Sequence, residues 1–359
     1  MVVTSSGSAM TVEADPSQAE SGAGDAGQLE DRRLPTSTLD GWRRFVHADP
    51  SIVELLHADR WSELSEAQRR DYDEARIAHH AELVVVTTSA ISEITEEGRL
   101  LTLMNQREIG ARRGLMVSGA AATGKTTAIK QLGRVHELRT RARFPRSDRI
   151  PIVYVTCPPK GSPRKLAMEF ARFLGLPPVG ARQNVTDIAD AVCRVLIDAR
   201  TDLVIVDEIH NLNLQTSAGE DLSDHLKYFT EHLPATFVYA GIDVERSGVF
   251  TGTRGRQLAG RCSLIPTGPF PYGDEWRQLV AAMEATLRLH QHRPGALVEQ
   301  AKYLHARTGG MIGSLAHLTR AAAIRAILSG TEALTQPLLD KVRIDHAAES
   351  ATRRASSTR

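Results

Sequence analysis

This chain of 359 residues is poor in cysteine and in aromatics: three Cys, and Phe, Trp and Tyr together at 5%. Cys157, Cys193 and Cys262 form no CxxC pair and each sits among apolar neighbours. A CxxC metal or redox motif is therefore excluded, and the three read as small buried hydrophobes in a reducing compartment. Nothing interleaves aromatic rings with basic residues, which excludes a base-stacking platform for single-stranded nucleic acid. No apolar run approaches the ~20 residues of a membrane-spanning helix, and the N-terminus MVVTSSGSAMTVEADPSQ has no basic-then-apolar signal pattern. The expectation is a cytoplasmic protein without a membrane partner. A strong net charge is also missing, the formal balance being +1. Residues 1–40 hold seven acids against Arg32 and Arg33, a net of −5, which leaves +6 on the remainder. That mild excess permits a polyanionic partner without demanding one.

What is present falls into blocks. Residues 1–38 are rich in Ser, Gly, Ala, Asp and Glu and read as a disordered acidic tail, because so few apolar groups cannot offset the entropy of ordering. Residues 39–110 read as a helical N-terminal segment, since WRRFVHADPSIVELLHADRW and AELVVVTTSAISEITEEGRLLTLMNQ space apolar groups by three and four. Residues 111–268 alternate apolar strands with amphipathic helices. The strand candidates are 114–119, 150–157, 201–208, 235–241 and 262–266, and the helix candidates 125–138, 163–174, 187–200 and 218–232. Short β-branched runs separated by helices predict a five-stranded parallel sheet covered on both faces, a three-layer α/β core. After the Pro269-Phe270-Pro271 breaker, residues 269–348 are helical only, a small all-α lid, and 349–359 read as a second disordered tail.

The core carries two motifs with chemistry. Gly119, Ala120, Ala121, Ala122, Thr123, Gly124, Lys125, Thr126 and Thr127 satisfy the phosphate-loop pattern G-x-x-x-x-G-K-[ST], between a predicted strand and a predicted helix. The glycines let successive backbone N–H groups turn toward phosphate oxygens, and the helix dipole adds positive potential there. Lys125 is expected to reach the β- and γ-phosphates of ATP, and the Thr126 hydroxyl to ligate Mg²⁺. In LVIVDEIHNL, four apolar residues deliver Asp207 and Glu208 to a strand end. Asp207 is the expected second Mg²⁺ holder; Glu208, facing differently, is the expected general base for water. A carboxylate there favours hydrolysis over phosphorylation of a small molecule. His210 and Asn211 follow as either a gate on Glu208 or a surface His and a loop-capping Asn.

An ATPase shared between subunits also needs a cation from a neighbour. Arg254, Arg256 and Arg261 are the candidates, with Arg261 preferred and then Arg256, against the plain alternative of a solvated basic loop. Asp243, after YAGID begins to turn, is the nearest polar group for a sensor, and a turn-forming Asp explains it equally well. In RTGGMIGSLAHL, Ile312 stands where related ATPases carry a second sensor arginine, which predicts slow or partner-stimulated hydrolysis.

Taken in order, GAAATGKT, LVIVDEIHNL, TFVYAGID, QLAGRCSLIPTGPFPY and TGGMIGSLAHL resemble AAA+ ATPases of the transposon-encoded TniB/TnsC type, relatives of the bacteriophage Mu B protein and of origin-recognition initiators. The resemblance spans roughly residues 95–330 and implies an AAA+ P-loop core. It also implies an ATP-dependent binder of double-stranded DNA that forms homo-oligomeric rings or helical filaments. Such a protein recruits and stimulates an integrase-type transposase, with a TniQ-like targeting protein as a further partner, and disassembles on hydrolysis. In such assemblies the loop after the second strand faces DNA; here it is CPPKGSPRKLAMEF, with Lys160 first choice and Arg164 and Lys165 beside it. A solvated basic turn is the plain alternative. The competing functional reading keeps the fold and drops DNA: a signalling or defence switch acting on proteins.

Overall fold

The computed structural model describes residues 34–48, 53–108, 110, 112–177, 180, 184–212, 226–246, 250 and 252–345. Residues 1–33 of the acidic tail, residues 218–225 of the helix read at 218–232, and the segment 349–359 lie outside the described residues. So does the side chain of Arg254.

Strands β1 (Gly114–Gly119), β2 (Ile152–Thr156), β3 (Leu203–Asp207), β4 (Thr236–Gly241) and β5 (Cys262–Thr267) form the expected parallel sheet, in the order β2-β3-β4-β1-β5. In β1 to β4 the Val, Ile and Leu side chains are buried whichever way they point, as helices on both faces require, whereas on the edge strand β5 Ile265 is buried and Leu264 exposed. The helices are α1 (Leu39–His47), α2 (Ala58–Ser62), α3 (Glu66–Ala81), α4 (Ser89–Asn105), α5 (Lys125–Arg143), α6 (Pro163–Phe173), α7 (Val185–Asp198) and α8 (Gly252–Ala259). The lid adds α9 (Asp274–Ala285), α10 (Ala296–Glu299), α11 (Ala301–Thr308), α12 (Ile312–Leu328) and α13 (Gln336–Asp340). Two helical features exceed the reading from periodicity. α5 continues through Arg141 and Arg143, and α8 forms from GTRGRQLA despite its two glycines.

Two separate apolar cores result, one around the sheet and one in the lid. The N-terminal helices divide between them. α1 and α4 pack on the sheet core. Trp42 of α1 is fully buried, donates its indole N–H to Glu137 at 2.5 Å, and stacks on Tyr154 with centroids 5.7 Å apart. Gly133 makes room for it, since a Cβ there would come within 2.8 Å of the indole. α3, opened by a capping box between Ser65 and Gln68, packs instead on α12 of the lid. Arg76 of α3 is fully buried and pairs bidentately with Glu332, at 2.7 and 2.8 Å. Between α3 and α4 the chain from 82 to 88 is extended rather than helical. Three consecutive valines and two threonines there lose side-chain freedom in a helix, and Thr88 caps α4 by accepting from Ile91 N–H.

The α3–lid seam carries a pH signature. His80 accepts a hydrogen bond from Arg288 N–H at 3.2 Å. Burial, helped by the neighbouring charges of His79, Arg288 and Arg76, pushes its imidazole down to about 4. An unfolded histidine titrates near ~6.5. Between those values the unfolded chain takes up a proton that the folded chain refuses. The contribution of His80 is therefore complete above about 6.5 and is lost as pH falls toward 4. Melting temperature measured across that window should decline with acidity, and His80→Gln should flatten the decline; an unchanged slope in the variant refutes the assignment.

Candidate ATP site

The phosphate loop is built where β1 ends and α5 begins. β1 lies between β4 and β5, so the loop leaves an interior strand at the sheet's C-terminal edge. Gly119 pairs with Thr267 so tightly that a Cβ would sit 2.1 Å from the Thr267 carbonyl oxygen. Gly124 has φ 87°, the left-handed region where glycine carries no penalty. Ala122 has φ 61° with a Cβ to accommodate, a strained conformation of the kind held at functional loops. The lid secures it: Gly313 N–H, at the start of α12, donates to the Ala122 carbonyl at 2.9 Å. Thr123 closes the loop by donating to Ala120 O and sharing a hydrogen bond with Thr267, both at 2.9 Å.

Lys125 is buried and donates to the carbonyl of Ala120 at 2.6 Å, with its ammonium inside the loop. Burial lowers its pKa, while the charges of Glu208 and Asp207 pull the other way. Thr126 donates to Asp207 Oδ2 at 2.9 Å. The structure thus brings Lys125, Thr126, Asp207 and Glu208 together, although 81 residues separate Thr126 from Asp207. Asp207 is the last residue of β3 and almost wholly buried; Glu208, with φ 56°, turns off the strand and is half-exposed. Its N–H donates to Asp207 Oδ1 at 2.9 Å, so the two carboxylates diverge from one turn.

Tyr154 was not singled out by sequence reasoning. Its hydroxyl donates to the same Asp207 Oδ2 at 2.8 Å, and burial followed by the Asp207 charge raises its pKa far beyond the ordinary tyrosine range. It is a neutral donor that fixes the carboxylate's rotation. The available signal was a polar aromatic within the otherwise aliphatic strand IVYVT. Tyr154→Phe should raise the Mg²⁺ concentration for half-maximal turnover by about 10-fold, the lower end for groups that orient metal ligands. An unshifted Mg²⁺ titration would remove Tyr154 from the site.

A cavity of about 430 Å³ adjoins the loop, lined by Thr123, Gly124 and Thr127 of the core, Val84 and Val86 of the extended 82–88 segment, and Ile312 of the lid. Ile312 stands against the loop, its methyl 3.2 Å from where a Gly124 Cβ would be. The lid arginine on the cavity wall, Arg320, is engaged by the carbonyls of His80 and Ala81. The groups expected for a nucleotide with Mg²⁺ are all at hand: a curled backbone, a buried cation, a hydroxyl on a carboxylate, and an apolar recess beside them. They fit.

The other candidates lie elsewhere. Asp243, with φ 44°, is exposed just past β4, its carbonyl accepting from Arg246 N–H. Arg256 is exposed on α8. Arg261 lies at the opposite end of the sheet from the phosphate loop, its carbonyl accepting from Gly114 N–H at the start of β1. Neither arginine reaches the site of its own chain. Lys160 is exposed at the tip of the loop after β2, with φ 51°. Lys165 donates to the Lys160 carbonyl at 3.2 Å and Arg164 to Gly180 O at 2.9 Å.

Comparison with known proteins agrees with this geometry. Residues 76–266 match the profile of the family described as the bacterial TniB protein, more than half of the chain. No curated protein matches. Among solved structures, the ORC1 protein of Aeropyrum pernix in complex with DNA is similar at TM-score 0.56 and 18% identity, over 76% of this chain and 67% of that one. The Cdc6p protein of Pyrobaculum aerophilum gives 0.52 and 14%, over 70% and 66%. Drosophila ORC bound to DNA gives 0.50 and 16%, over 84% and 72%. At these identities the likeness is one of fold: an AAA+ P-loop core with a helical lid. Among the described residues, no single helix is long and apolar enough to cross a membrane.

Proposed function

We propose, from the premise that this chain belongs to the TniB family of bacterial proteins, that it is an ATP-hydrolysing regulator of DNA transposition. It assembles with copies of itself on target duplex, recruits and stimulates an integrase-type transposase, and comes apart when ATP is hydrolysed. A TniQ-like targeting protein is a further partner in this reading, and the compartment is the cytoplasm. The observation that carries it is the convergence of Lys125, Thr126, Asp207 and Glu208 at one sheet edge.

In this reading the loop Gly119–Thr127 wraps the triphosphate, Lys125 leaves Ala120 O to meet the β- and γ-phosphates, and the nucleobase occupies the recess beside Val84, Val86 and Ile312. Thr126 and Asp207 would hold Mg²⁺, which when bound neutralises phosphate charge. Glu208 accepts a proton from the attacking water. Arg261 and Arg256, remote from their own site, serve a neighbour's. Asp243 senses the phosphate end. Lys160, with Arg164 and Lys165, meets DNA phosphates, giving sequence-tolerant binding. Two of the similar folds were solved with DNA, which supports a duplex partner over a purely protein one.

Co-sedimentation with duplex DNA tests the reading, run with ATP, with ADP and without nucleotide across a salt series. ATP-dependent binding that weakens steeply with salt is expected. Failure to bind duplex at low salt in every nucleotide state removes it, and leaves the signalling switch.

A further inference from the structure

The run RTRARFPRSDR at 139–149 carries five arginines that the ATP site does not use. The fold separates them. Arg141 turns back along α5 to pair with Glu137 at 2.6 Å, and Arg146 is exposed beyond the helix. Arg139, Arg143 and Arg149 meet Arg99 of α4 around a recess of about 470 Å³ between α4 and α5. Arg143 and Arg149 both lie over the Phe144 ring, 5.1 and 3.9 Å from its centroid. The Nε of Arg149 is buried without a hydrogen-bond partner. Among the described residues no carboxylate pairs with any of the four. The acid on the wall, Asp202, lies 3.5 Å from His136 Nε2 instead. Four guanidiniums around one concave site focus a positive field, and their forked donors fit carboxylates two bonds at a time.

The recess sits at the end of the sheet away from the phosphate loop. Arg149 and Asp202 precede β2 and β3, whereas Lys125 and Lys160 follow β1 and β2. A duplex held on the Lys160 loop therefore lies at the other edge. An acidic segment of this chain starts much nearer. Residues 1–31 hold six acids, Glu13, Asp15, Glu20, Asp25, Glu30 and Asp31, and no Lys, Arg or His; Arg32 and Arg33 follow. That segment leads into α1, which packs on α5. Trp42 reaches Glu137, while later in α1 the carbonyls of Val46 and Ala48 accept from Arg134, earlier in α5. The two helices thus run in opposite directions, and the start of α1 points toward the end of α5 that carries Arg139 and Arg143. From Glu137 to Arg143 is ~9 Å along α5. The seven residues from Asp31 to Thr38 span up to ~23 Å when extended, so the acids have the reach.

We propose that the arginine recess between α4 and α5 is the docking site of the acidic segment 13–31 of the same chain. Its carboxylates supply the counter-charges that Arg99, Arg139, Arg143 and Arg149 lack, and the recess is closed to other polyanions while the segment occupies it. A weak contact suffices, because a short tether sets a local concentration in the ~mM range. Neither ATP nor duplex enters this docking, so it stands or falls apart from the transposition reading.

The probe is a fluorescent peptide of residues 10–31, titrated by anisotropy at low salt into the full chain and into a chain beginning at Leu34. The shorter chain keeps both apolar cores, which draw on residues 42–344. The peptide should bind the shorter chain about 10-fold more tightly than the full one, the ratio expected when a tether at ~1 mM competes against a dissociation constant of ~100 µM. Arg139→Glu with Arg143→Glu in the shorter chain should weaken binding by at least about 10-fold, and Arg139→Gln with Arg143→Gln by less. A peptide with its six acids replaced by amides should not bind. If the glutamate pair fails to fold, judged by circular dichroism, the glutamine pair carries the test. Equal binding to the full and shorter chains, binding to neither, or binding that the arginine substitutions leave unchanged overturns the docking. A short duplex or inorganic triphosphate that binds the shorter chain through Arg139 and Arg143, where the peptide does not, assigns the recess to phosphate and overturns it as well.

Discussion

Glu208→Gln is expected to lower kcat by about 10²–10⁴-fold, the range general-base catalysis contributes, while ATP affinity stays near that of the wild type. The geometry separates the two effects. Asp207, not Glu208, receives the hydroxyls of Thr126 and Tyr154, so the group proposed to hold Mg²⁺ is intact in the variant. Glu208 contributes its side chain and, through its N–H, a hydrogen bond to Asp207 Oδ1 that glutamine's backbone keeps. Glutamine is the same size as glutamate and leaves the turn undisturbed, but its amide does not take a proton from water. The variant should accumulate in the ATP-bound state and stay assembled on duplex. Single-turnover hydrolysis checks the chemistry, and sedimentation with DNA checks the assembly. Turnover within a few-fold of wild type places the base elsewhere.

The sheet was legible because a parallel strand covered on both faces has no polar side to display. LVIVD and TFVYAG read as unbroken apolar runs, and both are buried throughout. The phosphate loop was legible because its residues are contiguous. What escaped is what depends on distant contacts. Tyr154 looks like one more β-former until the fold sets its hydroxyl 2.8 Å from Asp207. The valines at 84–86 continue an apolar pattern of helical spacing, and only the placement of the lid makes them part of the wall of the recess beside the phosphate loop. Nothing in the sequence marks Gly313, yet its N–H holds Ala122, and a Cβ there would come within 3.0 Å of the Ala122 carbonyl oxygen. His210 and Asn211 stood open between two meanings, since adjacency to Glu208 does not say where either side chain points. The arginines remain the least legible, because the role proposed for Arg256 and Arg261 lies against a second copy.

Lys125→Ala should produce the opposite phenotype to Glu208→Gln: little nucleotide bound and no nucleotide-dependent assembly. The ammonium is already inside the loop, held by Ala120 O at 2.6 Å, so it needs only a short movement to meet a phosphate. Hydrogen bonds to charged groups contribute about 1.5–3 kcal/mol each, so losing two weakens binding by at least about 100-fold. The folded state should be little affected, because alanine leaves no charge behind and favours the first turn of α5. Calorimetric titration with a non-hydrolysable ATP analogue measures the affinity, and light scattering with duplex present measures the assembly. The pair of variants is more informative than either one. If nucleotide occupancy drives assembly and hydrolysis reverses it, Glu208→Gln must lie above the wild type in bound protein and Lys125→Ala below it. Equal assembly in the two would show that the loop binds ATP to no mechanical end, and the link from phosphate site to DNA would be broken at its first step.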